Sequence, residues 1–252
     1  DFLADDDTHR ADEFNRAMRE EDSQAIIAVR GGYGCLRMLD GIAIEQLRER
    51  PKLIVGFSDI TIIQNHLLQA AGLLSLHGPV LTTLHSCTHA ALERLVRCLT
   101  GFWQGPMTCP GVEILRGKRD AHGVLIGGNL TSITSMLGTP FDFPWEGGIV
   151  FLEDINEPLY RLDRMLTQLA QAGKFEQASG ILLGDFSLAD HLGEVEKLRY
   201  IEYIWNRILD LTSRTQIPVW AGISSGHCAE NLTLPIGAAT VMHNGRAILN
   251  FS

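Results

Sequence analysis

Short apolar runs alternate with amphipathic segments in the N-terminal third of the chain. The runs "AIIAV" (25–29), "LIVGF" (53–57) and "LSLHGPV" (74–80) have the length and apolar content of buried strands. Residues 6–18 and 59–71 carry apolar side chains at helical spacing and are predicted to be helices. Because strands that alternate with helices form βαβ units, this part is predicted to be an α/β lobe with a parallel sheet.

The pattern changes after residues 101–118, which are rich in Gly and Pro and lack periodicity. We predict an N-terminal lobe at 1–100, a linker at 101–118 and a C-terminal lobe at 119–252, with a cleft between the lobes. The C-terminal lobe contains a predicted hairpin whose turn is Asn244-Gly245. Its other predicted elements are strands at 147–154 and 180–186 and helices at 160–172 and 194–211.

Composition and net charge limit the kinds of molecule that this protein is expected to bind. The chain has 252 residues, of which 45% are hydrophobic, and a net charge of -9. This acidity argues against a nucleic-acid or anionic-membrane partner, and no apolar run approaches the roughly 20 residues that span a bilayer. The five cysteines are scattered and odd in number. We therefore expect reduced thiols in a cytoplasmic protein and no disulfide framework.

The segment "LIVGFSDITII" leads a predicted strand directly into a predicted helix at Ser58. Ser58 could cap the helix, because serine is a preferred N-cap residue. It could instead lie on a nucleophile elbow, the tight strand-turn-helix that exposes a serine hydroxyl. Gly56 fits such an elbow, but Ile60 occupies the place of the second glycine of G-x-S-x-G, so an α/β-hydrolase is not indicated.

Three further segments carry groups that a serine nucleophile needs. The loop "RGGYG" (30–34) lacks the spacing of a nucleotide-binding loop, but its backbone N–H groups could stabilise an oxyanion or simply form a turn. Glu153 and Asp154 lie at the carboxyl end of an apolar strand, where they could belong to a ligand-binding or catalytic site or could begin a helix. His227 lies in a Gly/Ser loop, which suits either a base or a surface histidine. Together they indicate a nucleophile, an acid and a base.

Metal and thiol chemistry are the competing interpretations. The segment "HSCTH" offers His85, Cys87 and His89 as ligands, but no second cluster and no H-E-x-x-H motif accompanies it. We predict no metal site and no cofactor. Cys35 and Cys228 lie beside the two glycine loops and leave a Cys–His enzyme open, although neither follows an evident elbow.

Seven motifs in this order and spacing resemble the LD-carboxypeptidase family of serine peptidases over nearly the whole chain. They are "AVRGGYG", "LIVGFSDIT", "LSLHGPV", "LIGGNLTSITSMLGTP", "VFLEDINEPLYRLDRMLTQL", "ILLGDF" and "SSGHCAENLTLPIGA". The resemblance implies an N-terminal α/β lobe, a C-terminal mixed lobe rich in β structure, and an active site near the lobe junction.

The resemblance also implies roles for individual residues. Ser58 would be the nucleophile, Glu153 the acid and His227 the base, with backbone N–H groups of Asp59 and Gly32 as oxyanion donors. Arg30, beside the glycine loop, is the nearest cation for a substrate carboxylate. The implied reaction removes the terminal D-Ala from a cytoplasmic murein tetrapeptide, without a cofactor, in an enzyme that is commonly a homodimer.

Three expectations accompany this interpretation. Family members carry a β-α unit ahead of the segment that matches "DFLADDD", so we expect further residues upstream of Asp1. Within the family, the alternative is a microcin-immunity peptidase that cleaves a peptidyl-nucleotide with the same triad. Outside it, the alternative is a non-catalytic ligand-binding module in which Ser58 only caps its helix.

Overall fold

A computed structural model describes residues 3–188 and 193–252. The strands in these ranges are Ala25–Ile27 (β1), Leu53–Gly56 (β2), Ser75–His77 (β3), Gly105–Thr108 (β4), Glu113–Arg116 (β5), Ala121–Asn129 (β6), Ile149–Ile155 (β7), Gly180–Ser187 (β8), Val219–Ala221 (β9), Leu234–Ile236 (β10), Ala239–His243 (β11) and Ile248–Phe251 (β12). The α-helices are Asp7–Arg19 (α1), Cys35–Met38 (α2), Ile44–Glu49 (α3), Ile60–Ala71 (α4), His89–Leu99 (α5), Leu130–Met136 (α6), Leu159–Gln171 (α7), Lys174–Gln177 (α8) and Glu194–Leu211 (α9).

The strands form two sheets. The smaller sheet has the order β1-β2-β3-β10, with β1, β2 and β3 parallel and β10 antiparallel to β3. The larger sheet has the order β4-β12-β11-β6-β7-β8-β9-β5. Its central strands β6 to β9 are parallel, and the outer pairs are antiparallel. The predicted α/β class, with a parallel N-terminal sheet and a mixed C-terminal one, is confirmed.

Residues 101–118, predicted to be an irregular linker, contain two strands of the larger sheet. β4 pairs with β12 at one edge and β5 pairs with β9 at the other. Edge strands tolerate proline and glycine and show weak periodicity, so composition alone pointed to a linker. In addition, β10 comes from the C-terminal part of the chain but completes the N-terminal sheet. The division at residues 100 and 119 therefore stays a prediction.

Helix α4, which follows Ser58 in the chain, is fixed to both sheets by buried amide side chains. Gln64 Nε2 donates hydrogen bonds to the carbonyl oxygens of Gly56 (3.0 Å) and Leu76 (2.8 Å) in the smaller sheet. Asn65 donates to the carbonyl of Gly127 and accepts from its N–H, both at 3.0 Å, in the larger sheet. Because buried amides must be hydrogen-bonded, these contacts fix the helix relative to both sheets.

The packing of the two sheets follows the apolar pattern of the sequence. The strand β7 is fully buried from Ile149 to Leu152, as its continuous apolar run predicts for a central parallel strand. Helix α4 buries Ile62, Ile63 and Leu67 in the hydrophobic core that also contains Val150 and Leu152 of this strand. Within the described ranges, no helix combines the length and apolar character needed to cross a membrane.

Candidate active site

Ser58 lies on a strained turn between β2 and α4. The strand ends at Gly56 and the helix begins at Ile60, and Ser58 between them has φ = 62°. A non-glycine residue in this left-handed region costs about 1–3 kcal/mol. A β-carbon at position 56 would lie 2.8 Å from Ile60 Cγ2, so only glycine lets the turn close this tightly. The predicted strand-turn-helix elbow is present.

The side chain of Ser58 does not cap the helix. The N-cap position is occupied by Asp59, and no side chain makes a capping hydrogen bond there. The Asp59 carboxylate instead accepts a 2.7 Å hydrogen bond from the backbone N–H of Cys35. Among the residues that the structure describes, none forms a hydrogen bond with the Ser58 hydroxyl, which is half-buried. The cap hypothesis is therefore wrong, and the hydroxyl is available for other chemistry.

The glycine loop after β1 packs directly against the elbow. A β-carbon at Gly31 would lie 2.6 Å from Ser58 Cβ and 3.0 Å from Ser58 Oγ, so this approach requires glycine. The backbone N–H groups of Gly31, Gly32 and Asp59 donate to no residue in the described part of the chain. Free N–H groups beside a serine hydroxyl are the kind of donor that an oxyanion hole uses.

Arg30 lies at the outer side of this loop. Gly32 has φ = 90°, and a β-carbon there would lie 3.3 Å from Arg30 Nε. Arg30 is exposed and forms no ion pair with any described residue. Its guanidinium therefore lies over the glycine loop with its hydrogen-bond donors available to a ligand.

Glu153 and His227 are brought together from distant parts of the sequence. Glu153 is fully buried on β7, and its Oε2 lies 2.7 Å from His227 Nδ1. Gly226 has φ = 122°, and a β-carbon on it would lie 2.8 Å from Glu153 Oε2. The side-chain oxygen of Asn231 accepts the Gly226 N–H at 3.0 Å and fixes the loop. A glycine before the histidine thus permits the short carboxylate–imidazole contact.

The environment shifts the pKa values of both partners. Burial raises the pKa of Glu153, but the imidazoles of His227 and His77 beside it outweigh this effect and hold the pKa at about 2. Burial lowers the pKa of His227, but the hydrogen-bonded Glu153 carboxylate more than compensates, so the pKa lies above the usual 6.5. An ionised acid therefore faces an imidazole whose protonated form it stabilises.

Asp154 faces away from this pair, as the alternation of side chains along a strand predicts. Its carboxylate accepts hydrogen bonds from the N–H (2.9 Å) and hydroxyl (2.8 Å) of Thr131 and from Asn129 Nδ2 (3.2 Å). It therefore secures the start of α6. Burial and the adjacent Glu153 carboxylate raise the pKa of Asp154 to about 6.

The elbow and the histidine loop meet through Phe57. The ring of Phe57, the residue before Ser58, contacts the imidazole of His227 edge-on with 4.7 Å between the centroids. Both side chains line a cavity of about 300 Å³. Thr83, Ser86 and Cys87 from the segment after β3 lie on its other side. The cavity thus lies where the N-terminal and C-terminal parts of the chain adjoin.

The alternative ligands and thiols do not form comparable sites. Within the described residues, the only His, Cys, Asp and Glu side chains that converge closely enough for a metal are Asp5, Asp6 and His9, which are exposed. The "HSCTH" side chains form no such group, and Cys87 Sγ donates to a backbone carbonyl. Burial raises the pKa of Cys228 to about 12 and raises that of Cys35 as well, so neither thiol ionises at neutral pH.

His77 is a residue of this site that sequence reasoning missed. It ends β3, is fully buried, and places Nε2 3.7 Å from Glu153 Oε1. The predicted strand 74–80 put His77 in its middle, whereas β3 ends at His77, at the carboxyl edge of the parallel strands where ligands collect. Because its neighbours in "LSLHGPV" are mostly apolar, the segment was interpreted only as a buried strand. A serine hydroxyl without a hydrogen-bond partner at an elbow, next in sequence to a residue that contacts a carboxylate–imidazole pair, is typical of serine-type hydrolases.

Comparison with known proteins defines the family. The sequence matches the LD-carboxypeptidase N-terminal domain over residues 1–78 and the LD-carboxypeptidase C-terminal domain over residues 122–242. A Bacillus subtilis protein named "Probable murein peptide carboxypeptidase" is 35% identical over 96% of this chain and 76% of its own length. The murein tetrapeptide carboxypeptidase of Pseudomonas aeruginosa is 32% identical over 97% of this chain and 80% of its own. The chain belongs to the LD-carboxypeptidase family and is a serine-type hydrolase.

Solved structures share the fold. The muramoyltetrapeptide carboxypeptidase of Oxalobacter formigenes superimposes with a TM-score of 0.83 at 30% identity, over 99% of this chain and 84% of that one. An MccF-like protein from Bacillus anthracis gives 0.86 at 23% identity, over 99% and 82%. The fold is therefore common to both kinds of protein.

Proposed function

We propose that this protein hydrolyses the L,D peptide bond to the terminal D-Ala of murein tetrapeptides in the cytoplasm, with Ser58, Glu153 and His227 as its triad. The observation that carries the proposal is the Ser58 hydroxyl, held at φ = 62° without a hydrogen-bond partner in the described chain, directly after Phe57, whose ring contacts the imidazole of the Glu153–His227 pair. Relatives named murein carboxypeptidases at 35% and 32% identity support the choice of substrate.

In the proposed reaction, Ser58 Oγ attacks the scissile carbonyl carbon and His227 Nε2 takes the hydroxyl proton. Glu153 keeps the other nitrogen, Nδ1, protonated and stabilises the imidazolium. The N–H groups of Gly32 and Asp59 would stabilise the tetrahedral oxyanion. His227 then protonates the leaving D-Ala amine. A water molecule, deprotonated by His227, attacks the acyl carbon, and His227 returns the proton to Ser58 Oγ as the acyl group leaves. Each step uses only water and the side chains and backbone of this chain, so the proposed reaction calls for no metal or cofactor.

Arg30 is the proposed partner of the substrate carboxylate. A carboxypeptidase must bind a free terminal carboxylate, although this protein has a net charge of -9. An unpaired carboxylate is costly to desolvate, so a local cation must meet it. Arg30 lies over Gly32, beside the elbow, and a guanidinium can bind a carboxylate through two hydrogen bonds. The Arg30 guanidinium would thus favour substrates with a free C-terminal carboxylate over those with a blocked C-terminus.

The other proposed partners follow from charge and family resemblance. A net charge of -9 disfavours association with nucleic acid or an anionic membrane. We propose a homodimer, as is common in the murein-recycling branch that the sequence motifs resemble.

A microcin-immunity peptidase is the second candidate function. Its specific support is the structural likeness to MccF proteins, for example an MccF structure in complex with glutamyl sulfamoyl guanosine at a TM-score of 0.80. That likeness has only 23% identity and extends to the fold alone. The relatives above 30% identity are carboxypeptidases by name, which favours the muropeptide substrate.

We expect a murein tetrapeptide with a free terminal D-Ala to be cleaved and its C-terminal amide to be a poor substrate, measured as kcat/KM by D-Ala release. Arg30→Gln should lower kcat/KM for the acid by about 10- to 100-fold, the loss of one charge-assisted hydrogen bond, and should affect the amide little. Arg37→Gln is the matched control, because Arg37 pairs with Asp7 at 2.8 Å on the surface. Equal cleavage of acid and amide would refute carboxylate recognition, and a preference for a peptidyl-nucleotide would support the immunity function.

The pH dependence of kcat/KM should report the ionisation of His227. The base must be neutral to accept the serine proton, and the pKa of His227 is raised above 6.5 by Glu153, with further contributions from Asp154 and Asp185. Activity should therefore fall as the pH decreases through a value above 6.5. In Glu153→Gln the residual activity should fall at a lower pH than in the wild type, because the carboxylate that raises the pKa of His227 is gone. An acid limb that Glu153→Gln leaves unmoved would contradict the assignment of His227 as base.

A further inference from the structure

His77 occupies the side of Glu153 opposite His227. The carboxylate lies between two imidazoles, with Oε2 2.7 Å from His227 Nδ1 and Oε1 3.7 Å from His77 Nε2. Both Glu153 and His77 are fully buried. Two aromatic rings hold the His77 imidazole edge-on, that of Phe57 at 6.1 Å and that of Phe151 at 5.0 Å between centroids. His77 is therefore fixed in orientation against the second carboxylate oxygen.

The carboxylate needs such a partner on that side. Within the described residues, Glu153 Oε1 and both ring nitrogens of His77 form no hydrogen bond. The imidazole Nε2 of His77, at 3.7 Å, can offer the donor that Oε1 lacks. The other charged groups that act on this carboxylate through their electrostatic field are both acidic: Asp154, which points to the opposite face of the same strand, and Asp185 on β8. A buried carboxylate flanked by acids is stabilised only by donors and cations. His77 is thus the favourable neighbour of Oε1.

We propose that His77 is a positioning residue, which presents Nε2–H to Glu153 Oε1 and so keeps the carboxylate ionised and Oε2 directed at His227. This inference rests on the proposed function, because it assigns His77 a purpose only if the Glu153–His227 pair works in catalysis. His77 exchanges no proton with the substrate. Its effect reaches the reaction through the rotamer and charge of Glu153, on which the tautomer of His227 depends.

The test compares His77→Phe, which keeps a buried ring of similar shape but has no N–H, with the wild type. We expect kcat to fall by about 10- to 100-fold, the size of effect known for residues that orient the ligands of metal sites, with KM nearly unchanged. The pKa of the Glu153 carboxyl, followed by carbon NMR and assigned through Glu153→Gln, should rise from about 2 towards its ordinary 4.5. A residue that merely fills space would move neither kcat nor this pKa.

Two further variants separate positioning from packing. His77→Gln retains a donor and should recover part of kcat, whereas His77→Met, of similar length without a donor, should behave like His77→Phe. If His77→Phe does not fold, the comparison of Gln with Met decides. Ser75→Ala is the matched control, because Ser75 lies on the same face of β3 and is fully buried, and its hydroxyl forms no hydrogen bond in the described chain. It should retain kcat and the low pKa of Glu153.

The outcomes also separate this inference from the proposed function. If the wild type cleaves the tetrapeptide and loses activity in Ser58→Ala, but His77→Phe retains full kcat and a Glu153 pKa of about 2, only the positioning role is overturned. If the wild type neither cleaves the tetrapeptide nor reacts with an active-serine probe, the proposed function fails. In that case the pKa of Glu153 in His77→Phe still reports whether the two side chains interact.

Discussion

Replacing Ser58 by alanine is expected to lower kcat by about 10⁵- to 10⁶-fold, as in other serine peptidases that lose the nucleophile. The nearby Cys228 thiol should not replace the missing hydroxyl, because burial raises its pKa to about 12. Kinetics of D-Ala release and labelling by an active-serine probe, located by mass spectrometry, measure the effect. The fold should be retained, since the Ser58 side chain makes no hydrogen bond to any described residue.

Ser58→Gly sharpens this prediction. Glycine adopts φ = 62° without strain, so this inactive variant should unfold at the same or a higher temperature than the wild type. Ser86→Ala is the control, because Ser86 is an exposed serine that lines the cavity beside Phe57 and His227. It should keep both turnover and probe labelling at Ser58. Substantial turnover by Ser58→Ala, or labelling of Ser86 in place of Ser58, would rule out the proposed nucleophile.

Glu153→Gln is expected to lower kcat by about 10⁴-fold with little change in fold. Glutamine fills the same volume but cannot stabilise the imidazolium of His227, and its amide N–H₂ favours the wrong tautomer. The small change expected in stability follows because glutamine keeps the side-chain volume and can still form hydrogen bonds at this fully buried position. Steady-state kinetics and thermal unfolding of the same preparation measure the two quantities separately.

Asp154→Asn is the matched control for the acid. Asp154 is the next residue on β7 and is also buried, but its carboxylate binds Thr131 at the start of α6. Its loss should reduce the free energy of unfolding by about 1–3 kcal/mol, the cost of unsatisfied buried donors, while kcat is largely retained. The opposite pattern, in which Asp154→Asn is inert and Glu153→Gln active, would assign the acid to Asp154.

The local elements follow from the sequence because short-range spacing decides them. The helix predicted at 194–211 is α9, with the same bounds. The strand predicted at 147–154 contains most of β7, and the Asn-Gly pair forms the turn between β11 and β12. Apolar runs of strand length and amphipathic segments of helix length have few alternative structures. The turn at Ser58 was also predictable, since Gly56 and the abrupt change of periodicity lie within a few residues.

The sequence also limited the candidate acids to Glu153 and Asp154, which alternate in direction along a strand. It could not choose between them, because the choice depends on which face of β7 meets the histidine loop. The tertiary structure decides it. The face that carries Glu153 receives His227, and the opposite face receives the start of α6 at Thr131.

The sequence by itself determined the family, the order of most strands and helices outside residues 101–118, and the residue types available for catalysis, because each depends on local spacing or on motifs. Only the tertiary structure decided which groups meet. Strand β10 joins the smaller sheet, whose other strands come from the N-terminal part of the chain, and β4 and β5 form the two edges of the larger sheet. His77 lies against Glu153. Such contacts join residues far apart in sequence, and their energies come from burial and hydrogen bonds that exist only once the chain is packed.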